Sequence, residues 1–131
     1  MKMLMHNVEG WGTEAIAVGH EQEENNPYNM VLGEMLSFEL KYPRHCESFL
    51  KVADRVEHQG GDAHEVLHDK AWRLVIRPTE VAIEYEFDDM GNEWKAVFPL
   101  GQVRRAVMGW MKFLQMPDSP ERRLIVDLDA D

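Results

Sequence analysis

The chain has a single cysteine, Cys46, so no disulfide can form within one copy. It also lacks any run of eighteen apolar residues, the minimum for a membrane-spanning helix. Residues 1–12 contain one lysine but no sustained apolar region and no small-residue cleavage site, so we predict no secretory signal there. Together these absences favour a reducing compartment, and we expect a cytoplasmic protein without a membrane segment.

Basic residues are scarce: the 14 lysines and arginines face 24 acidic residues, which gives a formal net charge of −10. A protein that binds nucleic acid directly needs a basic surface, so the balance argues against that class. A negative field attracts cationic partners and speeds their association. The same charge also serves solubility alone, so composition leaves both interpretations open.

Hydrophobic periodicity predicts one α+β domain over residues 1–131, with a C-terminal strand and an acidic tail in residues 117–131. Helices are expected between Pro43 and Gly60, and from Pro99 to just before Pro117. An antiparallel sheet of about five to seven strands should carry both amphipathic helices on one face. Apolar–polar alternation predicts its strands at residues 2–8, 13–19, 30–42, 71–77, 80–88, 93–98 and 123–128.

The segment His64-Glu65-Val66-Leu67-His68 matches the pattern of a zinc-binding helix, in which two histidines hold the metal and the glutamate acts as base. Two glycines precede the segment and a strand-like run begins at Trp72, which leaves at most two helical turns. We therefore predict a polar connection, with no catalytic residue and no cofactor. A small zinc-dependent hydrolase that uses His64, His68 and Glu65 is the alternative.

Acidic residues occupy four of the five alternate positions of the strand predicted at 80–88, the fifth being Ala82. Four carboxylates on one face would stand roughly 7 Å apart, close to the phosphate interval of a nucleic-acid strand. Such a row could occupy a basic groove of another protein, although a solvated sheet face is the default for a sheet with one wet side. Glu21, Glu23 and Glu24 add charge from a predicted exposed loop. The row consists of Glu80, Glu84, Glu86 and Asp88, and Asp89 follows it.

Two tryptophans are candidate anchors for a partner protein. Trp11 lies between two glycines in a predicted turn, so its ring has no obvious place in the core. Trp94 follows a predicted hairpin loop, and its face depends on the strand register. With the carboxylates above, they complete the predicted partner-binding residues.

A small, acidic, single-cysteine α+β chain with the exposed stretch EVAIEYEFDD at residues 80–89 resembles bacterial immunity proteins, including those of contact-dependent growth inhibition. The resemblance implies an inhibitor that masks the basic active surface of a cognate toxin, such as a nuclease. On this interpretation, lysine at Glu84 and Glu86 should weaken partner binding. Another open alternative is an oligomerising accessory domain, a homodimer whose sheet edge pairs with a second copy.

Overall fold

A computed structural model describes residues 1–66, 72–85 and 95–129. These residues form an α+β fold of antiparallel strands and helices, as the periodicity predicted. A π-helical segment, Tyr28–Gly33, runs directly into the first α-helix. The strands are β1 (Lys2–Val8), β2 (Gly12–Ala17), β3 (Ala63–Val66), β4 (Trp72–Ile76), β5 (Glu80–Tyr85), β6 (Lys95–Pro99) and β7 (Arg123–Asp127), and the α-helices are α1 (Glu34–Glu39), α2 (Pro43–Gln59) and α3 (Leu100–Leu114).

The described strands make two sheets, so the prediction of a single sheet was wrong. The first sheet has the order β2-β1-β7, and the second sheet has the order β3-β4-β5-β6. The C-terminal strand pairs with β1, with Met3 opposite Val126, because the chain returns to the first sheet after α3. Alternation within a strand predicts which side chains are buried, but it does not say which strand lies alongside.

Residues 30–39 are helical and residues 40–42 lead into α2, so the prediction of a strand at residues 30–42 was wrong. The alternation of Phe38, Leu40 and Tyr42 with polar neighbours was misleading, because Phe38 and Tyr42 are exposed. Five buried side chains of this segment instead follow helical spacing: the later four lie one, four, five and eight residues after the first. They are Val31, Leu32, Met35, Leu36 and Glu39.

The two predicted helices are confirmed, and α1 is additional. Pro43 occupies the first turn of α2, and Gly60 ends that helix with a positive φ of 77°. Helix α3 packs against α2 and contacts strands of both sheets, which places its buried Trp110 and Phe113 in the shared core. The indole of Trp110 donates to the carbonyl oxygen of Leu40 at 2.7 Å and so ties the end of α1 to α3.

In the described ranges, no helix is both long enough and apolar enough to cross a bilayer.

Candidate functional site

A cleft of about 400 Å³ opens where the edge of the first sheet meets the polar loop of residues 20–27 and the helical segment that follows it. Strand β2 forms one wall, and the π-helical segment and α1 form the other. Gly33 allows this close approach, because a side-chain carbon at that position would lie 2.3 Å from the carbonyl oxygen of Ala15 in β2. The cleft is lined by Trp11, Thr13, Glu14, Ala15, Ile16, Glu21, Glu23, Glu24, Asn25, Asn29, Met30, Gly33, Glu34, Ser37 and Phe38.

The polar loop is a series of hydrogen-bonded turns. The backbone N–H groups of His20, Glu23 and Asn26 each donate to the carbonyl oxygen three residues earlier. Asn29 fixes this series to the sheet: its Oδ1 accepts from the N–H of Ala17 at 2.6 Å, and its Nδ2 donates to the carbonyls of His20 and Glu23. The backbone that carries the loop acids is therefore fixed by hydrogen bonds.

Hydrogen bonds stabilise two of these acids in their charged form. The N–H of Gly19 donates to the carboxylate of Glu21 at 2.8 Å and lowers the pKa of that group. The ring of His20 lies 2.5 Å from the carboxylate of Glu23, and this hydrogen bond lowers the pKa of Glu23, with a second contribution from Asn26. Both groups stay ionised well below neutral pH.

Glu34, on the helical wall, behaves in the opposite way. Partial burial raises its pKa, and the neighbouring carboxylate of Glu14 raises it further. The ionised form of Glu34 is thus poorly solvated and repelled by a like charge. A positive charge nearby would offset both effects.

Two aromatic side chains stand at the cleft with much of their surface open to solvent. Trp11 is 70% exposed and Phe38 is 43% exposed. Among the described residues, no lysine or arginine lines the cleft, although His6 and His20 contact Glu14 and Glu23. Carboxylates bind ammonium and guanidinium groups through charged hydrogen bonds, and aromatic faces attract the same cations.

The structure brings together four of the residues predicted from sequence: Trp11, Glu21, Glu23 and Glu24 all line the cleft. Glu14, Glu34 and Phe38 were not predicted. The two glutamates lie outside any acidic run, and the strand prediction for residues 30–42 hid the helix that carries Glu34 and Phe38. Helical spacing of Val31, Leu32, Met35 and Leu36 was the signal that could have found them.

The predicted carboxylate row on β5 lies elsewhere, on the second sheet. Val81 and Ile83 are buried and Glu84 is exposed, so the predicted alternation is present. Glu80 forms an ion pair with Arg77 at 3.1 Å. Glu84 lies in register between Arg73 of β4 and Lys95 of β6. The remaining members of the prediction, Glu86, Asp88, Asp89 and Trp94, are outside the described residues.

The first three residues of the His-Glu-Val-Leu-His segment form part of β3, so the prediction of a polar connection was wrong for these residues. His64 pairs with Val75 and Glu65 pairs with Leu74 in an antiparallel register. An extended backbone sets residues four apart roughly 13 Å from each other, much farther than one helical turn does, and His68 is outside the described residues. Within the described ranges, no three His, Cys, Asp or Glu side chains are grouped to hold a metal ion. The hydrolase alternative, which requires His68, stays a prediction.

Cys46, the single thiol, is buried in the core on α2. Burial raises its pKa to about 12, so it stays protonated and unreactive at neutral pH.

Comparisons of the chain with models of protein families, with curated proteins and with solved structures found no match.

Proposed function

We propose that the protein is a non-enzymatic binding protein that receives a basic segment of another protein in its acidic cleft. The observation that carries this proposal is the composition of the cleft wall. Five carboxylates and two exposed aromatic rings surround one cavity of about 400 Å³. A lysine or arginine side chain inserted there would meet charge and an aromatic face together.

The energetics of the wall support a cationic ligand. Glu34 is poorly solvated and lies near Glu14, so the empty cleft contains repulsion that a guanidinium or ammonium group would remove. The turns of the polar loop and the hydrogen bonds of Asn29 hold the loop acids in position, so binding costs little loop ordering. The rest of the chain adds long-range attraction through its net charge of −10.

The kind of partner we infer is a toxin domain with a basic active surface, such as a nuclease. A cleft that accepts basic side chains would mask the surface that a nuclease uses to hold phosphates. An inhibitor of this type needs high affinity and fast association, and complementary charge provides both. It needs no chemistry of its own. The protein would then act as an immunity protein in the cytoplasm, with Trp11 as its principal apolar anchor.

The test uses the product of the neighbouring reading frame in the genome, because immunity genes adjoin the genes of their toxins. That product should inhibit growth when expressed alone, and co-expression of this protein should restore growth. The charge-reversal variant Glu21→Lys/Glu23→Lys should fail to protect. Its affinity for the purified toxin should fall at least about 100-fold, because each lysine removes one attraction and adds a repulsion.

The matched control is Glu47→Lys/Glu121→Lys, which changes the net charge equally at two exposed positions away from the cleft. This variant should protect cells, and its affinity should fall no more than about threefold through the weaker long-range field. Equal losses in the two variants would mean that only total charge matters, which contradicts a role for the cleft. A neighbouring product that neither inhibits growth nor binds would contradict the immunity assignment.

A further inference from the structure

The strand β7, at the edge of the first sheet, has backbone groups that are directed away from its neighbour β1. The N–H of Leu128 donates to the carbonyl of Met1, and the N–H of Asn7 donates to the carbonyl of Arg122, so even-numbered residues bond to β1. In an antiparallel ladder, alternate residues bond to opposite sides. The N–H and C=O groups of Arg123, Ile125 and Asp127 therefore face an edge on which no described strand lies.

Two of the other sheet edges are protected in ways that β7 is not. Strand β2 is covered by the π-helical segment, whose Asn29 accepts a hydrogen bond from the strand. Strand β6 ends in Pro99, which has no N–H to donate toward its open edge. Strand β7 has five residues without proline, and its central Ile125 is 52% exposed.

The sequence of β7, Arg-Leu-Ile-Val-Asp, is complementary to itself when two copies run antiparallel. A two-fold axis at Ile125 places Arg123 of each copy opposite Asp127 of the other. Leu124 then faces Val126, and the two Ile125 side chains meet at the centre. Opposite charges directly across an antiparallel pair stabilise the pairing, and like charges oppose it.

The same register satisfies the backbone. With Ile125 opposite Ile125, the three residues whose N–H and C=O groups face outward all fall in hydrogen-bonded pairs. A shift by one residue would instead put Arg123 opposite Val126 and would leave the outward-facing groups out of phase. Backbone hydrogen bonding thus excludes shifts by one residue, and among the remaining registers only this one places Arg123 of each copy opposite Asp127 of the other.

We infer that two copies of this chain associate through β7 to form a continuous six-stranded sheet of order β2-β1-β7-β7-β1-β2. The acidic cleft lies at β2, the far edge of each half, so both clefts stay open in this dimer. This association does not depend on the proposed function. Because one strand pair is a small interface, the dimer should form at high protein concentration and dissociate on dilution.

Sedimentation equilibrium of the purified protein in about 0.15 M salt, which screens the repulsion between two acidic copies, tests this inference. Concentrations from about 10 µM to about 1 mM cover the range expected for a small interface. The average mass should rise from one chain toward two. A single-chain mass at every concentration would overturn the inference. The same result is expected if a strand of another protein, and not a second copy, normally pairs with this edge.

Charge exchange tests the register. Arg123→Asp alone brings two aspartates opposite each other, and Asp127→Arg alone brings two arginines, so each variant should dimerise at least about tenfold more weakly. An equimolar mixture of the two variants should regain the lost association, as should the double variant Arg123→Asp/Asp127→Arg. Failure of both the mixture and the double variant to regain it would overturn the register.

Ile125→Pro provides a backbone test. The residue's N–H is directed away from β1, so proline removes one N–H donor from each copy, two hydrogen bonds of the proposed dimer, and none of the first sheet. The variant should remain monomeric at about 1 mM while its circular dichroism and toxin affinity stay those of the parent. Dimerisation equal to that of the parent would contradict pairing through β7. Loss of toxin affinity in a folded monomer would instead tie binding to this edge.

Discussion

The acidic cleft and the outward face of β5 contain the same kind of side chain, yet their electrostatics differ. In the cleft, Glu14 and Glu34 lie close together, and the pKa of Glu34 is raised by burial and by that neighbour. On β5, Glu80 is paired with Arg77, and Glu84 lies between Arg73 and Lys95. The positions of the cations, and not the number of carboxylates, decide which surface holds unbalanced negative charge.

This comparison predicts opposite consequences for the same mutation in the two regions. Lysine at Glu80 and Glu84 would place cations beside Arg77, Arg73 and Lys95, so Glu80→Lys/Glu84→Lys should lower the free energy of unfolding by about 1–2 kcal/mol. Its affinity for a basic partner should change no more than about threefold, as for any distant charge. The cleft variant Glu21→Lys/Glu23→Lys should lose the roughly 100-fold in affinity predicted above while its stability changes little.

Denaturant titration measures the stabilities of both variants, and calorimetry with the partner measures their affinities. A β5 variant that keeps full stability and loses most of its affinity would move the binding surface from the cleft to β5. That outcome would support the original sequence-based prediction for this strand, whose remaining acids, Glu86 and Asp88, are outside the described residues.

The sequence predicted much of the fold because hydrophobic spacing reports burial directly. Helices α2 and α3 were recognised from apolar residues at three- and four-residue intervals, and proline and glycine marked their ends. The helix after Pro27 was missed because Phe38 and Tyr42 happen to alternate with polar residues while remaining exposed. An apolar residue on the surface misleads a pattern that treats every apolar residue as buried.

Only some of the cleft residues were predicted from the sequence, for a related reason. Glu21, Glu23 and Glu24 are adjacent in sequence, so a local pattern finds them, and Trp11 stands out between glycines. Glu14 and Glu34 are twenty residues apart and meet only because Gly33 lets the helical wall pack against β2. Conversely, the β5 prediction identified the carboxylates but could not include Arg73 and Lys95, whose positions depend on the register of the neighbouring strands.

A second prediction tests whether the cleft depends on position as well as charge. Asn29→Ala removes the side chain that joins Ala17 to the loop carbonyls and leaves the net charge unchanged. The N–H of Ala17 loses its partner, so the free energy of unfolding should fall by about 1–3 kcal/mol. Affinity for the basic partner should fall about tenfold, because the loop acids must then be ordered on binding.

The matched control is Asn25→Ala, an asparagine that also lines the cleft. Denaturant titration and partner titration of both variants measure separately what the loop contributes to stability and what it contributes to affinity. If Asn29→Ala is destabilised but binds with parental affinity, the loop geometry does not contribute to recognition.

The smallest expected effect comes from Glu34→Gln, and its pH dependence has a definite sign. Because burial and Glu14 raise the pKa of Glu34 in the folded protein, the free energy of unfolding falls as pH rises from the ordinary glutamate pKa to that raised pKa. Glutamine removes this loss, so the variant should unfold at a slightly higher temperature than the parent at pH 7. The unfolding temperatures of the two proteins should converge below the ordinary glutamate pKa, where Glu34 of the parent is protonated in both the folded and the unfolded state.

Binding should show the reverse pH dependence. A bound cation lowers the pKa of Glu34, so the parent's affinity rises with pH through the raised pKa. The variant lacks that rise and should bind a few-fold more weakly at pH 7. A variant that is more stable and binds less well would identify Glu34 as a residue whose charge serves recognition at the expense of the fold, in contrast to Glu80, which is paired with Arg77.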